Sequence, residues 1–125
     1  MSQATTIAHQ KAVHASLQEM ATTLTEALGR VLVAGIVGVR NPKTVTRWVN
    51  GEVTSIRDRY SEERMLALYQ IVVFMQEYEA DETIRAFMIG MNPVLDDASP
   101  AMELREGNFD NVMGAAKVMI TGGYA

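Results

Sequence analysis

Cysteine is absent from this chain of 125 residues, which removes disulfide staples and thiolate metal ligands together and fits a reducing cytoplasm. Long apolar runs are missing too. No stretch approaches the roughly 18 to 20 residues that a membrane-spanning helix needs. The N-terminal MSQATTIAHQKAVHA has no continuous apolar core of the kind a secretory signal carries. The two histidines, His9 and His14, stand five apart on an expected helix and are poorly placed to share a metal. No nucleophile elbow, phosphate-cradling glycine loop, dinucleotide fingerprint or metal-ligand cluster is present. No catalysis, cofactor or metal is therefore expected. Sustained period-two alternation, internal repeats and low-complexity runs are also lacking, and every element that can be assigned is helical. The expected fold class is all-α.

What is present centres on Arg30 to Glu52, RVLVAGIVGVRNPKTVTRWVNGE. Val31, Ala34 and Val37–Gly38 read as one short helix, closed by a glycine able to turn left-handed. Asn41-Pro42 restarts the chain, with Asn as N-cap and Pro at the first helical position, where its missing N–H has no partner to lose. Val45, Trp48 and Val49 then form one buried stripe, and Gly51 stops the helix. Lys43, Thr46, Arg47 and Asn50 fall on the opposite face, a set without an acid that suits phosphates and base edges. Two short helices around a tight turn make a helix-turn-helix, the second helix free to enter a major groove. An ordinary helical hairpin in a bundle has the same apolar pattern. The turn is also one residue longer than the usual motif, since seven residues separate Gly38 from Val45.

The net charge of −4 divides unevenly. Residues 29–64 hold seven Lys/Arg against four Asp/Glu, a net +3, whereas residues 65–125 hold three against nine, a net −6. Such asymmetry points to a basic nucleic-acid face and an acidic part for folding or for a protein partner. Two regions are expected: 1–60, a helix from Ile7 to Leu28 followed by the helix-turn-helix, and 61–125, a helical C-terminal region. Between them Glu52 to Tyr60 reads as a polar loop whose Arg57 and Arg59 either meet phosphate or stay solvated. Ser61 is expected to cap a helix running to about Tyr78, whose centre, LYQIVVFM, is apolar almost all round and so central to the fold. A shorter helix follows from Thr83 to Ile89. Asn92-Pro93 interrupts the chain, Ser99-Pro100 opens a brief helix, and Asn108 caps a last helix to Ile120. The acidic pair Asp96-Asp97 reads as turn and capping residues.

Taken in order, the helix-turn-helix, the long apolar helix, MNPVLDDASPAMELREG and a terminal helix ending in GG resemble the Xre/MbcA/ParS-type antitoxins. The resemblance spans about residues 25–123. It rests on an N-P-x-L-x-x-x-S-P motif, here Asn92, Pro93, Leu95, Ser99 and Pro100, and on Leu104, Arg105 and Gly107, the last one residue beyond the minimal spacing. It implies a cognate RES-domain toxin that consumes NAD, an active-site entrance occluded by the C-terminal region, a homodimer, and repression of a shared operon. Carried over by residue, it implies toxin contact through Asn92, Pro93, Leu95, Ser99, Arg105, Gly122, Gly123 and Tyr124. Operator DNA would meet Lys43, Thr44, Thr46, Arg47 and Asn50. Two other readings stay open: a stand-alone helix-turn-helix regulator, of phage or other origin, and a helical adaptor with a vestigial motif.

Overall fold

The computed structural model describes residues 15–122, and among them every regular element is helical. Seven α-helices follow in order: α1 Leu17–Leu28, α2 Arg30–Val37, α3 Pro42–Val49, α4 Arg59–Gln76, α5 Asp81–Ile89, α6 Pro100–Arg105 and α7 Phe109–Thr121. A 3₁₀ turn, Pro93–Leu95, sits between α5 and α6. The all-α expectation holds. No single helix among the described residues is long and apolar enough to cross a membrane.

Helix α4 is the axle. Five consecutive residues, Ile71 to Met75, are buried along with Met65, Leu68 and Tyr69, and the helix touches α1, α2, α5, α6 and α7. A helix apolar on most sides is stable only when neighbours cover it all round. Around it the buried side chains form one cluster, drawn from Leu24 and Val37 of the N-terminal part and from Ile84, Leu104 and Val112 of the C-terminal part. The regions expected at 1–60 and 61–125 therefore share one core.

Helices α1, α2 and α3 build the N-terminal unit. The chain bends by 117° between α1 and α2 at Gly29, which has φ +84°. Helix α3 packs on both. Several sequence expectations need correction here. Helix α1 begins at Leu17 and not at Ile7, because Ser16 is extended (φ −74°, ψ 163°) and its hydroxyl caps the helix by accepting from the Glu19 amide at 3.1 Å; residues 7–14 lie outside the described residues. Val31 does not belong to the buried stripe of α2. That face is set by Val33, Ala34, Ile36 and Val37, which leaves Val31 outside the arc and 69% exposed.

Helix α4 starts two residues before Ser61. Its cap is Asp58, whose Oδ2 accepts from the Ser61 amide at 3.2 Å and from the Ser61 hydroxyl at 2.9 Å. Ser61 is thus a buried first-turn residue that ties the cap down. Arg59, at the start of the helix, pairs with Glu63 at 3.3 Å.

Helices end with carbonyls that have no partner within the helix, and in this chain other helices supply the donors. Arg85 Nε of α5 donates to Leu28 O at the end of α1, at 3.2 Å. Arg64 of α4 donates twice, through Nη1 to Val37 O at the end of α2 (3.3 Å) and through Nε to Arg105 O at the end of α6 (2.8 Å). Gln18 Nε2 of α1 donates to Val49 O at the end of α3, at 2.9 Å. In α1, α2 and α3 a glycine with positive φ follows the helix, and a Cβ there would crowd the donor. At Gly38 it would lie 3.0 Å from Arg64 Nη1, and at Gly29 2.8 Å from Arg85 Nη2.

Two consequences can be measured. Arg64→Met keeps the aliphatic stem but removes both charge-assisted bonds, and it should cost about 1.5–3 kcal/mol for each carbonyl left unmatched in the interior, less where water reaches it. Urea unfolding at neutral pH checks this, and a wild-type midpoint would show that the clamp carries no stability. The Asp58 carboxyl is held below its ordinary value of 3.8, chiefly by the Ser61 hydroxyl. A pKa lower in the folded than in the unfolded state stabilises above the unfolded value and is lost as pH falls through the folded one. Asp58→Asn keeps a capping oxygen but cannot titrate. Its stability should therefore decline less steeply than wild type as pH falls below about 4; parallel acid limbs would overturn the assignment.

Candidate functional site

Helix α3 presents the first candidate surface. Asn41 is its cap, with Oδ1 accepting from the Lys43 amide at 3.0 Å, and Pro42 occupies the first position. Val45 and Trp48 are buried and Val49 is half-buried, so the stripe is core and not a ligand platform. The structure places Lys43, Arg47 and Asn50 exposed, and Thr44 and Thr46 half-buried. Four of these side chains lie along one short, strongly amphipathic helix, and Asn50 is its C-cap. The α2–α3 turn spans Gly38 to Asn41, with Gly38 at φ +93°. The sequence reading missed Arg30. Its Nη1 donates to Thr46 Oγ1 at 3.2 Å, which brings the start of α2 into the same face.

Arg57 is exposed on the loop that follows α3, whereas Arg59 is engaged with Glu63. Arg64 and Arg85 face inward onto helix ends. Of the seven cations in residues 29–64, Arg64 is therefore turned onto helix ends, and Arg30, Arg40, Lys43, Arg47, Arg57 and Arg59 remain exposed.

The second candidate surface begins at Met91. Asn92 is buried, 5% exposed, and knots the loop. Its Oδ1 accepts from the Val94 amide at 3.0 Å, and its carbonyl accepts from the Leu95 and Asp97 amides, both at 2.9 Å. Its own amide donates to Ala98 O at 3.2 Å. Asp96 and Asp97 both turn left-handed, φ 53° and 67°, a conformation that Asp tolerates better than most residues. Leu95 points into the core, and Ser99 Oγ caps α6 by accepting from the Met102 amide at 3.1 Å. The loop and its flanks show both apolar and acidic side chains to solvent, with Val94 beside Asp96. Met91 is 77% exposed, Val94 45% and Met102 53%, and Asp96 joins Glu103 and Asp110 around a shallow depression.

Of the residues that the resemblance assigns to a toxin, Pro93, Arg105 and Gly122 are exposed, Ser99 is half-buried, and Asn92 and Leu95 are buried. Gly123 and Tyr124 lie outside the described residues. Pro93 shares a groove with Phe87, Met91 and Met119, which joins the loop to the end of α7. Met91, Val94 and Met102 were legible only as bystanders in the motif, since exposure of an apolar residue leaves no signal in a helical period.

No protein-family model matches the chain, and no curated protein matches it. Among solved structures it is similar to a chain from the crystal structure of the M. tuberculosis MbcT–MbcA toxin–antitoxin complex. The TM-score is 0.71 over 87% of this chain and 97% of that one, at 23% sequence identity. At that identity the likeness shows a common fold.

Asn92→Ala should open the loop while leaving the helices in place. The expected cost is about 1–2 kcal/mol, as for loss of a side-chain cap. Amide exchange should accelerate at Val94 and Asp97 well before it does in α4. Unchanged protection at those amides would mean that the 3₁₀ turn holds without its cap.

Proposed function

We propose that this chain is an antitoxin: a protein that neutralises a partner toxin by binding it, and that binds operator DNA through α2 and α3. The observation that carries the reading is the likeness, over nearly the whole of both chains, to a chain from a toxin–antitoxin complex. The N-P-x-L-x-x-x-S-P motif adds to it, because its residues form a rigid loop with an apolar and acidic outer edge. A preorganised edge loses little conformational entropy on docking, and its exposed methionines adapt to a partner surface.

The finer reading names the partner as a RES-domain toxin that consumes NAD, with the loop, α6 and the end of α7 laid over the entrance to its active site. An acidic edge suits a cleft built to receive an anionic dinucleotide, since such clefts are basic. The protein then acts by occlusion and not by catalysis. Homodimerisation and repression of its own operon complete the proposal; a dimer would set two α3 helices on successive major-groove half-sites.

The test is growth of cells expressing the adjacent open reading frame, with and without this chain, followed by co-purification. Relief of toxicity with a stable complex is expected. Met91→Asp with Val94→Asp should weaken capture about tenfold or more, as loss of apolar anchors does, while Lys43→Ala with Arg47→Ala leaves capture intact. The latter pair should instead lower affinity for duplex DNA and reduce the salt slope by about one per phosphate contact removed. A chain that relieves no toxicity and forms no complex, yet binds DNA, would be a stand-alone regulator.

A further inference from the structure

We propose that Arg30 is a positioning residue of the nucleic-acid face, and that it sets the hydrogen-bonding direction of Thr46. The inference rests on the operator-binding reading above.

Arg30 is the first residue of α2 and is exposed, yet its guanidinium reaches across 16 residues to Thr46 Oγ1 at 3.2 Å. Thr46 is half-buried in the middle of α3, between exposed Lys43 and exposed Arg47 and Asn50. A threonine hydroxyl rotates freely and can donate or accept. When an arginine N–H occupies one of its lone pairs, the hydroxyl proton must point away from the guanidinium. The proton is thereby kept on the side away from Arg30, where it is free to donate to a phosphate oxygen or a base-edge acceptor such as guanine N7 or O6. The guanidinium has five N–H donors in a planar fork and, among the described residues, uses one of them, on Thr46. The others stay available for a phosphate, which they bind in a geometry that an ammonium group cannot copy. The face then comprises two helices: the start of α2 on the backbone, and α3 beside it with one of its hydroxyls oriented by α2.

This arrangement makes a prediction that separate contacts do not. Losing Arg30 also loses the orientation of Thr46, so the two substitutions overlap. The full chain would be titrated with a fluorescent duplex spanning the region upstream of its own coding sequence, and with a scrambled duplex of equal length, across a range of salt. Arg30→Gln should weaken binding to the upstream duplex about tenfold or more and lower the salt slope by about one. Thr46→Val should weaken binding less and leave the slope alone. The double variant should bind no more weakly than Arg30→Gln. Arg30→Lys should recover the slope but not the preference for the upstream over the scrambled duplex, and it carries the comparison if Arg30→Gln melts early. If the two losses multiply in the double variant, or if Arg30→Gln leaves slope and preference unchanged, the inference is overturned while operator binding stands. If the wild-type chain binds neither duplex at low salt, operator binding is overturned and this inference falls with it.

Discussion

The carbonyls at the ends of short helices constrain this molecule more than any other feature. Helices α2, α3 and α6 have six to eight residues each, too few to be stable alone. About half the carbonyls of such a helix have no partner inside it. The fold answers by reaching in from elsewhere: Arg85 onto Leu28, Arg64 onto Val37 and Arg105, Gln18 onto Val49. The positive charge of each arginine also meets the negative end of a helix dipole. The positive-φ glycines that follow α1, α2 and α3 do two things at once. They turn the chain, and by lacking a Cβ they leave room for the incoming donor. That a tight turn contains glycine is ordinary. That at Gly29 and Gly38 the missing side chain is replaced by a guanidinium from α5 or α4 ties the N-terminal unit to the C-terminal one, beside the core they share.

This dependence explains which parts of the fold were legible in the sequence. Punctuation was local and could be read: Asn41-Pro42, Ser99-Pro100, Gly38, Gly51 and Gly107 mark helix limits through their own backbone preferences. The long buried α4 could be read because a run such as IVVFM has no polar face to offer. Errors fell where two local signals competed. Ser61, followed by Glu62 and Glu63, has the pattern of an N-cap, yet Asp58 three residues earlier caps better and draws Ser61 into the helix. Val31 has the right spacing to Ala34 for a stripe, but Val33 and Ile36 rotate the buried arc of α2 away from it. Nothing local distinguishes the cations that face out from those that close helix ends, so the roles of Arg64 and Arg85 could not be told from those of Arg47 or Arg57.

The candidate surfaces divide the same way. The polar face of α3 follows from a 3.6-residue period once Val45 and Trp48 are placed inside, and so it was visible in advance. The link from Arg30 was not, since it joins the first residue of one helix to the middle of another. In the Asn92 loop the recognisable letters, Asn92, Leu95 and Ser99, are the ones folded inward or used as caps. A motif whose letters shape a loop tells where an edge is, and the exposed residues between those letters decide what the edge contacts. Val94 between those letters and Met91 just before them have exposed side chains that the loop's own hydrogen bonds do not use.

Arg64 joins the two surfaces physically. One guanidinium is bonded at once to the last turn of α2, from which the chain enters the turn to α3, and to the last turn of α6, next to the Asn92 loop in the C-terminal part. A planar group with fixed donor angles tolerates little separation of its two acceptors. The end of α2 and the end of α6 are therefore held in one register by a single side chain on the buried axle. The polar face of α3 and the exposed edge of the Asn92 loop could have been strung on a flexible linker. Here they are built on one core with a shared anchor, so a displacement of the end of α6 would act on the same group that closes α2 before the turn to α3.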